Sequence, residues 1–379
     1  MAQAKTNVDL ARAAMHSFIQ RVATGPELSK DISYEEARAA MTYILNGEVD
    51  PVQAGVFLIA LRMKRETEEE NKGVLQAILD ATDSATATVE EVVLIADPYD
   101  GTTRGLPVSA FLPAVLAACG VAAVCHGVEK VGPKYGVTSR QVLRAAGVDV
   151  QLSPQQAAVA VNEPTTGWAY VDQQAFCRKL HDLITLRSLI VKRPVITTVE
   201  VLATPVRGAG KTHLATGYVH KPYPPIYAML ARHAGFASAM IVRGVEGGVI
   251  PSLQQPSKLF YFHGDSELES ISIDPSSIGI SQASRAVPIP DHLAQAKDET
   301  DELAAGVDTQ ALAQAAASAG MAALSGEAGA AYDSLVYGAA LCLHHLRRQP
   351  TLQAAADVVR HAIDSGEPLA RFRQNQAHQ

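Results

Sequence analysis

The sequence predicts an α/β protein in two parts, a small N-terminal helical domain and a larger α/β domain with a mainly parallel central sheet. Three observations predict it. Residues 8–82 carry helical apolar spacing interrupted only by short Gly- and Pro-containing turns. From Val92 the period changes to short apolar runs alternating with helical stretches. The composition, 47% hydrophobic with only 5% aromatics and abundant Ala, suits close-packed helices better than a β-sandwich. The chain's 379 residues suffice for two cores.

The helical part is punctuated by familiar signals. Residues 8–23 form one helix, broken at Gly25 and Pro26. Ser33 can cap a helix with Glu35 and Glu36 in its first turn, where negative charge suits the helix dipole. Pro51 is placed to start the next helix, and Thr67 to cap the one that begins EEENKG. Residues 1–85 are therefore assigned to the helical domain and 90–379 to the α/β domain. Residues 172–191 look helical again and can rejoin the first.

In the α/β part, residues 92–96 read as a strand, 97–105 as a polar loop, 109–119 as a helix and 121–125 as a second strand. Strand, loop, helix, strand is a βαβ unit, so a parallel sheet follows. Helices are expected at 139–146, 154–161, 224–234, 309–319, 330–345 and 354–365, and strands at 149–152, 238–244 and 259–262. The tail RFRQNQAHQ is polar and is expected to fray.

Ligands of such sheets sit beyond the carboxyl ends of the strands. Two loops lie there. Loop 97–105 offers Asp100, Gly101, Thr103 and Arg104 just before a helix start, a setting where backbone N–H groups and an arginine grip an anion. Loop 126–138 offers His126, Gly127, Lys130 and Lys134, cations and glycines that suit a phosphate or a carboxylate. Glu246, on the glycine turn RGVEGG, is a weaker candidate for holding a metal. The segment GAGKT at 208–212 ends like a phosphate loop, but Pro205 stands where its first glycine belongs. No residue pattern assigns a catalytic nucleophile or base.

A net charge of −7 argues against a generally basic nucleic-acid binder. Cys119, Cys125, Cys177 and Cys342 lack metal-knuckle or redox spacing and are expected to be free thiols in a cytoplasmic protein. No signal peptide or membrane span is expected.

Further motifs carry a family resemblance. RSLIVKRPVITTVEVLATP at 187–205 resembles the arginine motif of anthranilate phosphoribosyltransferases, and CHG at 125–127 resembles their Lys-His-Gly-Asn-Arg loop. ISYEEARAAMTYILNGEVDPVQAG, from Ile32, resembles their helical-domain signature. The resemblance implies a ligand cleft between the domains, a homodimer formed through the helical domain and a small phosphorylated or acidic ligand. It implies that Asp100, Gly101, Thr103, Arg104, His126, Gly127, Lys130 and Lys134 bind phosphate, and that Arg187 and Arg193 bind an acidic acceptor. It also implies Mg2+ held with a phosphorylated ligand, yet the family's magnesium-binding Asp-Glu pair falls at Val249 and Ile250. The loop lysine becomes Cys125 and the loop asparagine Val128.

In detail the chain resembles a divergent branch, marked by Pro98–Gly101, His126–Val128, His220–Tyr223 and Arg243–Gly247. One group of such homologues is associated with nucleic-acid binding. The expected function is a phosphoribosyl-transferring enzyme with an altered substrate and little tryptophan-pathway activity. The alternative is a nucleic-acid-binding protein that reuses the phosphate cleft.

Overall fold

Four helices open the chain in a computed structural model that describes residues 7–25, 27–293 and 308–376. They are α1 (Asn7–Val22), α2 (Tyr34–Leu45), α3 (Pro51–Lys64) and α4 (Glu68–Asp80). The local chemistry sets their starts. Ser33 and Thr67 each close a capping box, with Glu36 and Glu70 returning the bond, and Asp50 caps α3 just before Pro51. The long loop of the α/β domain comes back to this bundle: the helix Ile184–Ile190 lays Leu186 and Ile190 beside Gly55 of α3.

The α/β domain is a seven-stranded sheet flanked by a two-stranded parallel ribbon, β1 (Ala85–Thr86) with β5 (Val206–Arg207). The large sheet comprises β2 (Glu91–Ala96), β3 (Ala123–Gly127), β4 (Trp168–Asp172), β6 (Lys211–Gly217), β7 (Ser238–Val242), β8 (Ser257–His263) and β9 (Glu269–Ile273). Its order is β4-β3-β2-β6-β7-β8-β9. The strands from β4 to β7 pair in parallel, and β8 and β9 return antiparallel. The parallel strands are buried on both faces, as helices covering both sides of such a sheet require. Among the described residues no helix is long and apolar enough to cross a membrane.

Several expectations need correcting. The helix at 109–119 begins as a 3-10 turn (Val108–Phe111), and only Leu112–Ala118 (α5) is α-helical. Pro113 has no N–H to donate back to Ser109, so an α-helical bond cannot form there. Residues 149–152 are not a strand; Val148 makes an isolated bridge to Gln376 instead. Trp168–Asp172, Lys211–Gly217 and Glu269–Ile273 are strands that the sequence did not announce. GAGKT is thus not a phosphate loop, because Lys211 and Thr212 begin the strand between β2 and β7.

The stretch 172–191 is three short helices, Gln173–Phe176, Arg178–His181 and Ile184–Ile190. The tail is not frayed over Glu367–Gln374, which is helical. Its Phe372 is fully buried, stacked on Trp168 at 5.2 Å and on Phe111 at 4.9 Å. Residues 377–379 lie outside the described residues.

Candidate functional site

The loops after β2 and β3 are joined backbone to backbone. Thr102 and Val137 exchange both amide bonds, at 2.9 and 2.8 Å, and Gly136 N donates to Asp100 O at 2.8 Å. Only glycine fits the crossing point. Gly101 has φ +74, and a Cβ there would stand 2.5 Å from the Gly136 carbonyl. Capped by Thr138, α6 (Ser139–Ala145) leaves this crossing immediately.

The crossing aims a set of donors at one point. Thr103 N, Arg104 N, the Thr103 hydroxyl and Lys134 Nζ all converge on the carboxylate of Glu246. The distances are 2.7 Å from Arg104 N, 3.1 and 3.2 Å from Thr103 N, 3.3 Å from Thr103 Oγ1 and 3.2 Å from Lys134. Of the residues expected to bind phosphate, Thr103, Arg104 and Lys134 form this cradle, and an anion of the chain itself, Glu246, sits in it. Glu246 arrives from the turn after β7, with left-handed backbone at φ 52 and ψ 19.

Behind the cradle the charges alternate. Lys134 also faces Asp100 at 3.8 Å, and Asp100, itself buried, takes the Arg193 guanidinium at 2.6 and 3.0 Å. Asp97 accepts from Val249 N at 2.9 Å, which ties the β2 loop to the β7 turn. Burial raises the Asp97 carboxyl above the usual range, with Ser109, Val249 N and Lys134 partly opposing.

The other expected site residues lie apart from the cradle. His126 and Gly127 are buried in β3. The His126 ring bonds the Tyr99 hydroxyl and stands edge-on to Phe176, and burial pushes its pKa down to about 3. The His126 side chain is thus enclosed and does not reach the cradle donors. Lys130 is exposed over the Tyr135 ring at 5.3 Å. Arg187 is buried, and its guanidinium is engaged bidentately by Glu200 at 2.7 Å on each arm, with Gln173 at 3.3 Å from the same carboxylate. Glu200 was not singled out in the sequence; an acid inside the arginine motif, 13 residues after Arg187, was the available signal.

The magnesium expectation can be tested on the residues themselves. Val249 is buried with its N–H committed to Asp97, and it lines a cavity of about 60 Å³ together with Ile250, Ser109 and Asp97. Among the described residues no group of three or more His, Cys, Asp or Glu is placed to hold a metal ion. The acids nearest the cleft, Asp97, Asp100 and Glu246, are each bonded to protein donors. A phosphate-bound magnesium takes water and phosphate oxygens with one or two carboxylates, and these three acids are already committed to protein donors.

Fold and cradle together define a two-domain protein, a helical bundle joined to a mainly parallel α/β sheet with a cluster of anion-type donors at its strand ends. Residues 16–82 match the helical bundle domain of a glycosyl transferase family, and residues 101–369 match that family's a/b domain. The chain belongs to this family. It is 26% identical over 360 residues to the anthranilate phosphoribosyltransferase of Nitrobacter hamburgensis, covering 95% of this chain and 97% of that protein. It is 30% identical over 254 residues to an uncharacterized protein of Aquifex aeolicus, covering 66% of this chain and 74% of that one. Solved structures share the fold. The anthranilate phosphoribosyltransferase of Thermus thermophilus superposes with a TM-score of 0.72 at 18% identity, covering 96% of this chain and 98% of that one. The Saccharomyces cerevisiae enzyme, solved in complex with PRPP and Mg, gives 0.73 at 16% identity, covering 96% and 97%.

Proposed function

We propose that this chain binds a single nucleic-acid strand through its phosphates, along the strand-end edge of the α/β domain, and does not run magnesium-dependent phosphoribosyl transfer to anthranilate. The observation that carries this reading is a row of cations. The carboxyl ends of β3, β2, β6 and β7, consecutive in the sheet, are followed by Lys130, Arg104, Lys221 and Arg243 respectively. Lys192 joins them beside Arg193, which reaches Asp100 in the same loop. All five of Lys130, Arg104, Lys221, Arg243 and Lys192 are exposed, and among the described residues none makes an ion pair. In a chain of net charge −7 such a row is a local field of opposite sign. At roughly 4.8 Å per strand it spans about 14 Å. His220 adds an exposed ring beside Lys221 for base stacking.

Anisotropy of a fluorescein-labelled oligothymidylate, titrated at increasing salt, tests this. Five phosphate contacts on a single strand give a log–log salt slope of about −3.5. Arg104→Glu and Lys221→Glu each weaken binding and flatten the slope by roughly one contact. No binding at low salt, or a slope near zero, would refute it. In parallel, anthranilate and phosphoribosyl pyrophosphate are expected to turn over at less than about a thousandth of an intact enzyme's rate, because several transition-state contacts worth about 2–4 kcal/mol each are missing. A rate within tenfold of that enzyme restores the transferase.

A second reading, transfer to an altered substrate, is favoured by one observation, the convergence of Thr103 N, Arg104 N and Lys134 on a single anion. Under that reading the cradle holds a phosphorylated small molecule, and Arg193 faces its acidic acceptor.

The assembly we propose is a homodimer. Val52, Val56 and Met63 of α3 and Leu189 of the helix packed against it are exposed large apolar side chains of one region. Light scattering after gel filtration reads the mass directly. A cytoplasmic location accords with four cysteines that are all free.

A further inference from the structure

We infer that Glu246 is a built-in competitor for the anion cradle, one that makes the cradle selective for phosphate monoesters over the phosphodiesters of a strand interior. This rests on the reading above that the strand-end loops bind phosphate.

The cradle's donors are those a phosphate takes: two backbone N–H groups, a hydroxyl and an ammonium. Glu246 satisfies all of them from a tether, so an incoming anion competes with a group at high effective concentration. The tether is itself unrelaxed. Glu246 holds left-handed backbone at φ 52, a conformation that a side chain with a Cβ disfavours. The turn around it is tightly fixed, since a Cβ on Gly244 would fall 1.6 Å from the Gly248 carbonyl oxygen. An anion that takes the carboxylate's bonds therefore displaces the Glu246 side chain alone, while the turn keeps its shape.

Charge decides which anion succeeds. A phosphodiester has one negative charge and two free oxygens, which is no advantage over a carboxylate. A monoester carries roughly −1.5 to −2 and three acceptor oxygens. It can bond both backbone N–H groups and Lys134 and still face the exposed Arg104 side chain, which has no ion-pair partner among the described residues. The end of a phosphorylated strand and a small phosphorylated molecule share this chemistry.

The test compares oligothymidylate with and without a 5′-phosphate, and inorganic phosphate, on the wild type, Glu246→Gln, Glu246→Gly and Lys134→Ala. Glycine suits the left-handed backbone, so Glu246→Gly keeps the test alive should the amide disturb folding. We expect the wild type to prefer the 5′-phosphorylated strand. Glu246→Gln and Glu246→Gly should bind inorganic phosphate about tenfold more tightly and lose part of that preference, as diesters gain entry. Lys134→Ala should lose the preference while retaining rim binding. If strands bind but the Glu246 variants change neither phosphate affinity nor preference, the competitor is refuted and the nucleic-acid reading stands. If no strand binds the wild type while the Glu246 variants gain phosphate affinity, the competitor stands and the nucleic-acid reading falls.

Discussion

Replacing Arg187 by Met removes a charge from the interior while keeping much of the side-chain volume. Arg187 is 2% exposed and its partner Glu200 is 1% exposed. The pair is joined by two bonds of 2.7 Å, and Gln173 supplies one further donor to the carboxylate. Charge centres about 4 Å apart attract by about 4 kcal/mol at an effective dielectric of about 20. Removing one partner of a buried pair typically costs about 3–5 kcal/mol, because the other charge stays buried. At about 2 °C per kcal/mol for a large domain, Arg187→Met should lower the melting temperature by roughly 6–10 °C. Arg187→Met with Glu200→Gln should recover part of that loss, since the orphaned charge goes too. Oligothymidylate affinity, measured well below the transition, should hardly move. A drop below about 2 °C, the scale of an exposed ion pair, would refute the argument. So would a double variant whose loss is the sum of the two singles.

Phe372→Ala should cost about 3–5 kcal/mol and change the emission of the single tryptophan, Trp168, because the ring fills the space between Trp168 and Phe111. Gly101→Ala should separate the two strand-end loops, combining a left-handed backbone penalty of about 1–2 kcal/mol with a clash against Gly136, and should be read as a lower melting temperature together with weaker phosphate binding. His345 and His213 share the Ser238 hydroxyl at 2.8 Å each, and burial lowers their pKa values to about 3 and about 4. Folded values below the ordinary 6.5 mean that their stabilisation is complete above about pH 6.5 and is lost as pH falls toward 4. Imidazole NMR should therefore show both rings neutral at pH 6, and His345→Asn should lessen the fall in urea midpoint between those pH values.

The helical domain was legible because its signals are local. Ser33, Asp50 and Thr67 act within one turn of the helices they start, so sequence alone places them. The βαβ unit at 92–127 and its two loops were legible for the same reason. A buried parallel strand reads as a short apolar run, and ligands collect at its carboxyl end. Strands Lys211–Gly217 and Trp168–Asp172 escaped notice because each carries polar residues whose partners are far away in sequence: Thr216 donates to Ala96 O, and Asp172 meets Arg140 at 2.9 Å.

The same limit applies to the site. Sequence indicated that the loops carrying Asp100, Thr103, Arg104 and Lys134 would lie at one edge of the sheet, because strand ends in a parallel sheet face one way. Only the tertiary structure decided what each of them faces. Charge pairing depends on distance in space, so Glu246 entered the cradle from 143 residues beyond Thr103, Arg193 turned to Asp100 across 93 residues, and Arg187 met Glu200 inside the protein.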